Sequence, residues 1–487
     1  MLFLISINTL VLLAFLLIEF PYSSTVFACN VVGAAIGVAI LYSFGEGTHE
    51  VRITRYLAAG LLIAYCGGAL NTQISMGLAG HDVFAVMGIE LNYVAYAMVL
   101  VMLACAALLT VGIFEPPMIG DRHIVNLSWK QERFLWIALA AVIIAYLHND
   151  VSYMGTTNQI GTGRITVLGS VANSLNIVMA PLAAIGIVQS EGTRRIRFII
   201  IEAASLLTVF PFGRRALFNV LLVSLFAAAR LSGWSSRMSL GRKALMTVVF
   251  IVGVSLSNIF FMGIRLAAWS LGDDEQGSRR ADMGALLTSA RMGSFTDPRG
   301  ILDNLNDNIR ERTFLIGYLS LLARGGNTPS PMWGSDAQHA LQMATPDMIY
   351  SALGMDKAPA RAVGVEEGVA NEHFGLPVED MANSILTGGI IDLGLLGIVA
   401  YPLILCALTR GLLHVTARFL NSEGQVVAIL YILVIFLNIE TEIGGYLVEL
   451  RDLAILLVGW GLLNSLPGIG RRDQAVSDEQ QPIPAGQ

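Results

Sequence analysis

Charge is what this chain has little of. Only 14% of its 487 residues are Asp, Glu, Lys or Arg, where a soluble globular chain carries roughly 25%. The charges that exist sit in short runs between long apolar stretches, the pattern of a chain whose solvent is a bilayer. No basic stripe runs along it, which excludes nucleic acid as a partner. Cysteine is scarce too. Cys29, Cys66, Cys105 and Cys406 each lie in an apolar stretch, none in a CxxC pair, and they read as small core residues rather than ligands or disulfides. There is no HExxH zinc helix, no Walker A loop and no GxSxG elbow. No metal motif and no cofactor motif is present. The N-terminus lacks the basic region and small-residue cleavage site of a signal peptide, so it reads as an uncleaved first helix.

Hydrophobic residues make up 55% of the chain, and the mean hydropathy is +0.66. The apolar runs predict an all-α polytopic membrane protein with twelve helices. They fall at 2–20, 24–44, 56–77, 91–114, 132–148, 166–188, 197–213, 215–232, 244–264, 387–409, 424–441 and 447–467. Domain organisation follows: helices one to nine in 1–264, a large loop at 265–386, helices ten to twelve in 387–467, and a polar Gln- and Pro-rich tail at 468–487 that reads as disordered. Every even-numbered loop is basic: Arg52 and Arg55; Arg122, Lys130 and Arg133; Arg194, Arg195 and Arg197; Arg230, Arg237, Arg242 and Lys243; Arg410 and Arg418; Arg471 and Arg472. By the positive-inside rule both termini are cytoplasmic and the 265–386 loop is external. A loop of that size is usually functional.

Four features carry candidate chemistry. Pro211-Phe212-Gly213-Arg214-Arg215 interrupts one apolar run from Phe198 to Leu231, whose two ends must both be cytoplasmic. The chain therefore has to go up and return, on two limbs too short to cross a hydrocarbon layer of about 30 Å. Arg214 and Arg215 would then lie below the outer surface, where two guanidiniums suit a pyrophosphate; the alternative is snorkelling to lipid headgroups. Arg265 ends helix nine. Arg310 and Arg312 lie on a helix predicted at 302–324, whose apolar face is Ile301, Leu305, Ile309, Leu315, Leu319 and Leu322, with Arg324 at its end. The predicted helix lies along the outer surface, with Arg312 near the apolar stripe and Arg310 turned away. A solvated ion pair is the plain alternative for each of these arginines. His373, in Asn371-Glu372-His373-Phe374, is the loop's candidate for proton transfer, or a solvated surface histidine. Finally Glu440, Glu442, Glu449, Arg451 and Asp452 cluster between the last two helices, where Arg451 pairs locally in an ion network or serves the site.

One pattern runs from about 304 to 411: Asn308-Ile309-Arg310-Glu311-Arg312; Gly334 in a Pro-containing segment; Thr345-Pro346-Asp347; Asp356-Lys357-Ala358-Pro359; and a glycine-rich approach to the next helix. That approach contains Gly388-Gly389, Asp392-Leu393-Gly394 and Leu396-Gly397. In these residues the chain resembles the Wzy-type repeat-unit polymerases of O-antigen and exopolysaccharide synthesis. Pro346-Asp347 stands where the family has Pro-Arg. The resemblance implies a metal-independent glycosyltransferase of the inner membrane whose substrates are two polyprenyl-pyrophosphate-linked glycans. On it, Arg214, Arg215, Arg312 and His373 are the candidate catalytic residues, and Arg265, Arg310, Arg324, Lys357 and Arg451 the candidate substrate contacts. The implied partners are membrane lipids, a chain-length regulator and a flippase. Two other functions fit the architecture: an O-antigen ligase, whose sign would be an essential loop histidine, and a lipid-linked sugar transporter.

Overall fold

The computed structural model describes residues 23–43, 52–78, 89–116, 129–147, 167–209, 214–228, 315–345, 347–354, 371–376, 383–417, 422–441 and 443–465, with the single residues Thr9 and Leu127. All regular structure among them is helical. The first helices are α1 (Ser23–Ser43), α2 (Ile53–Leu62, a π turn Ile63–Gly67, then Gly68–Leu78), α3 (Leu91–Phe114), α4 (Trp129–Leu147), α5 (Val167–Gln189), α6 (Gly192–Val209) and α7 (Arg214–Phe226). The loop contributes α8 (Leu315–Ala323) with a 3-10 turn at Arg324–Gly326, α9 (Ser335–Ala344), α10 (Asp347–Ala352) and α11 (Asn371–Phe374). Then come α12 (Ile385–Leu393), a 3-10 turn Gly394–Leu396, α13 (Gly397–Ala417), α14 (Ser422–Leu437) and α15 (Ile443–Ser465). The helices expected at 2–20 and 244–264 lie outside the described residues.

The core has two centres. Around α3 pack α1, α2, α8 and α13; around α5 pack α4, α6, α7, α14 and α15. All four cysteines are free and buried in this interior. Helix ends are tied by side chains because their backbone groups have no partner within the helix. At the start of α2 the Glu115 carboxylate accepts from the Ile53 and Thr54 amides (3.0 and 3.1 Å) and from the Thr54 hydroxyl (2.6 Å). Arg52 returns the favour by donating to the Gly112 carbonyl (2.6 Å) at the end of α3. The start of α2 and the end of α3 therefore share one end of the bundle, as the loop charges require.

Among the described residues, three stretches have the length and apolarity to cross a membrane: Ile53–Ile74, Leu91–Phe114 and Ile385–Val415. The third is not one rod, which corrects the single helix expected at 387–409. At Gly394 (φ 59°) the chain turns through the left-handed region and folds back, so α12 and α13 form a hairpin. Their backbones touch at Gly389 and Gly397, where a Cβ on Gly397 would lie 1.7 Å from the Gly389 carbonyl oxygen. Helices in membranes approach this closely only over small residues. The start of α12 is buried: the Ser384 hydroxyl bonds to Tyr65, in the π turn midway along α2, and caps the Leu386 amide at 3.1 Å. The loop thus ends inside the helical bundle rather than at its rim.

Helix α6 ends at Val209 and α7 begins at Arg214; the turn expected at Gly213 lies between them, outside the described residues. The two lie side by side on α5, and Glu202 sits beside Ser224, as in an up-and-down pair. Their 18 and 13 residues give lengths of roughly 27 and 20 Å at about 1.5 Å per residue.

Gly397→Ala should lower stability by about 1–3 kcal/mol, because backbone rather than a flexible side chain meets the new methyl. Gly411→Ala, on the same helix with nothing within 4 Å of a Cβ, should be neutral or stabilise by about 0.5–1 kcal/mol. Melting of the two purified variants in one detergent checks this; equal melting temperatures would contradict the hairpin contact.

Candidate functional site

The loop segments meet the bundle at the end opposite Glu115. Helix α8 does not lie along the surface with one greasy face, as the sequence predicts. Leu315, Ile316, Gly317, Tyr318, Leu319, Ser320, Leu322 and Ala323 are all buried, against α2, α3 and α12. Its mean apolarity runs all round, which is the mark of an interior helix. The 3-10 turn that ends it rests on Tyr96, near the start of α3.

Two latches join this turn to the segment 371–375. Arg324 leaves the helix with a left-handed backbone (φ 41°), and its guanidinium donates to the Phe374 carbonyl. The His373 ring bonds through Nε2 to the Ser330 carbonyl at 2.9 Å. A carbonyl only accepts, so Nε2 is the donor, and in the neutral form of this exposed ring Nδ1 is the acceptor. Phe374 is buried and packs edge-on against the imidazole, which fixes the ring's height. Sequence reasoning named Arg324 and His373 separately; the structure puts them in one clasp.

Three residues past the second latch, at Ser330, the chain reaches Trp333. This residue holds φ 53°, a conformation that costs a non-glycine residue about 1–3 kcal/mol, and its side chain is 78% exposed. The strain is held from both sides. Before it, the Met332 amide donates to the Ile391 carbonyl (2.8 Å). After it, helix α9 is anchored by Asp392. That carboxylate, 0% exposed, accepts from the Asp336 amide (2.9 Å), the Ala337 amide (2.7 Å) and the Tyr401 hydroxyl. The far end of α9 is held by Arg451, which donates to the Ala344 carbonyl (3.1 Å) and pairs with Asp452 (2.7 Å). A carboxylate at the helix start and a guanidinium at its end both complement the helix dipole. Arg451 thus acts inside the protein as a clamp on α9, with local pairing of the kind its sequence neighbours allow.

Arg214 and Arg215 open α7, and their side chains lie outside the described residues, as do Arg265, Arg310, Arg312 and Lys357 altogether. The end of α6 is bonded to α5, the Thr208 hydroxyl donating to Asn176 (2.5 Å). On α14 the Tyr431 hydroxyl donates to Glu449 at 2.5 Å.

Two residues of this arrangement were not singled out for a role by sequence reasoning. Trp333 had a signal, an aromatic before a glycine in a proline-rich stretch. Asp392 had a stronger one, since a carboxylate in an apolar membrane helix needs a reason. No protein-family model, no curated protein and no solved structure matches this chain.

Asp392→Ala would leave two amides and a hydroxyl unpaired, at about 1–3 kcal/mol for each buried group. Hydrogen exchange across residues 335–344 should rise by at least ten-fold, and Asp392→Asn, which keeps one acceptor, should raise it less. Unchanged exchange in Asp392→Ala would show that α9 is held by other contacts.

Proposed function

We propose that this protein is a glycan polymerase of the inner membrane, joining polyprenyl-pyrophosphate-linked repeat units at the outer face. In this reading the chain has twelve membrane helices, both termini are cytoplasmic, and the 265–386 loop is external. The observation that carries it is the clasp of Arg324 and His373, an arginine and an imidazole fixed together at the end of the bundle away from Arg52 and Glu115. The pyrophosphate leaving group needs cations, and a hydroxyl nucleophile needs a base.

The chemistry balances with side chains alone. A hydroxyl on the incoming unit's terminal sugar attacks the anomeric carbon of the growing chain. The new C–O bond forms as the bond to the pyrophosphate oxygen breaks, and the polyprenyl pyrophosphate leaves with the electron pair. The hydroxyl proton goes to Nδ1 of His373. Arg312, Arg214 and Arg215 meet the charge that grows on the leaving group, with Arg324, Arg310, Arg265, Lys357 and Arg451 steering the substrate. Trp333, exposed and three residues from Ser330, offers a flat apolar face on which a pyranose ring stacks. A chain-length regulator and a flippase are the partners this role calls for.

A pinned loop histidine with one free acceptor nitrogen also suits a ligase that uses a lipid A core as acceptor. Glycan from a strain lacking the gene separates the two. Single repeat units capped onto the core indicate the polymerase; unattached full-length polymer indicates the ligase; loss of all repeat units from the outer face indicates a transporter.

Within the polymerase reading, His373→Ala should lower polymer formation by about 10²–10⁴-fold, and Trp333→Ala should raise the acceptor concentration required while Trp333→Phe largely restores it. Arg312→Lys should rescue little, because a point charge lacks the bidentate fork. Glycan ladders from variants shown to accumulate normally in the membrane check each of these. Full-length ladders from His373→Ala would remove it as the base.

A further inference from the structure

At the opposite end of the bundle, the starts of α4 and α6 build a second basic site that the polymerase reading does not use. Glu132 is buried, with 1% side-chain exposure, and bridges two arginines: Arg194 at 3.1 Å and Arg197 at 2.9 Å. Arg194 also donates to the Leu127 carbonyl at 2.8 Å. Two guanidiniums lie over the Trp129 ring, Arg197 at 4.9 Å from its centre and Arg133 at 5.3 Å. Arg195 caps the end of α5 through the Ser190 carbonyl. The four arginines at these helix ends outnumber the two carboxylates described there, Glu132 and the exposed Glu191, and positive charge is left over. The starts of two long helices add their positive dipole ends to it.

Directly along the same helix faces the surface becomes apolar. From Trp129 and Arg133 the exposed stripe of α4 continues through Trp136, Ile137, Ile143 and Ile144; on α6 it runs through Ile196, Ile199, Ile200 and Leu207. These spacings of three and four residues make one face on each helix. An apolar face that ends in an indole with two guanidiniums over its ring has the shape of a lipid site: acyl chains along the stripe, headgroup at the cations.

The geometry points to a binding site for the phosphodiester headgroup of an anionic membrane lipid, formed by Arg133, Trp129 and Arg197. Glu132 orients Arg197 and, by neutralising only part of the cluster, leaves charge for the phosphate. Each guanidinium keeps edge donors for phosphate oxygens while its face stays on the indole. A zwitterionic lipid would bring its own cation and gain less.

The test uses the full chain in nanodiscs of equal phosphatidylglycerol and phosphatidylcholine, with retained lipid read by native mass spectrometry after release. The wild-type chain should retain phosphatidylglycerol preferentially. Arg133→Gln, which breaks no ion pair among the described residues, should lower that preference by about 5-fold, and adding Arg197→Gln should lower it by about 25-fold. Arg133→Lys should fall between. Circular dichroism verifies that the variants keep their helices; if the double variant loses them, the single Arg133→Gln result decides. The proposal is overturned if wild type shows no preference, if Arg133→Gln retains the anionic lipid unchanged, or if millimolar inorganic phosphate displaces the lipid, which would mark a site for a free anion.

Discussion

One buried carboxylate decides the form of the functional end of this molecule. Asp392 has no solvent exposure and three donors, two of them the first amides of α9. A lone carboxylate in an apolar interior is costly, and one that accepts several short bonds is stable and rigid. Because it sits at the last turn of α12, it fastens a loop helix to a membrane hairpin. Around that joint the rest is arranged: Met332 on Ile391 before α9, Arg451 on Ala344 after it, and Trp333 forced outward between them. The clasp of Arg324 and His373 closes the same stretch from the other side.

The hairpin itself depends on small residues. A left-handed turn at Gly394 and the backbone contact of Gly389 with Gly397 let nine residues descend and return inside the bundle. Irregular backbone at that depth is tolerated because it is enclosed by protein and capped by Ser384, Thr387 and Tyr65. The same stretch supplies both the fold's tightest packing and the anchor of its loop, so a change there reaches the site through the backbone.

Much of the fold was legible in the sequence because apolar runs and alternating basic loops are strong, additive signals. The starts and ends of α3, α4 and α5 fall within a few residues of their expected bounds. The hairpin at 385–417 was not legible as such. Hydropathy is blind to direction, so an apolar stretch with a glycine turn reads like a single rod. The segment expected as a surface helix at 302–324 misleads for a related reason: the polar sequence of 302–314 gives the average of a surface helix, while eight of the nine residues of α8 are buried. Of the site, Arg324, His373 and Arg451 were found from residue type, but their partners were not. Carbonyls such as those of Phe374, Ser330 and Ala344 leave no mark in a sequence.

The account makes most of its claim on chemistry at the clasp, and one measurement reaches that claim directly. Purified full-length protein, reconstituted and supplied with a polyprenyl-pyrophosphate-linked repeat unit, should form glycans of increasing length and release one polyprenyl pyrophosphate for each linkage, with His373→Ala and Arg324→Ala both slowing the two products together. Glycan units that move across the bilayer with the pyrophosphate bond intact, or polymer formed equally well by both variants, would contradict it.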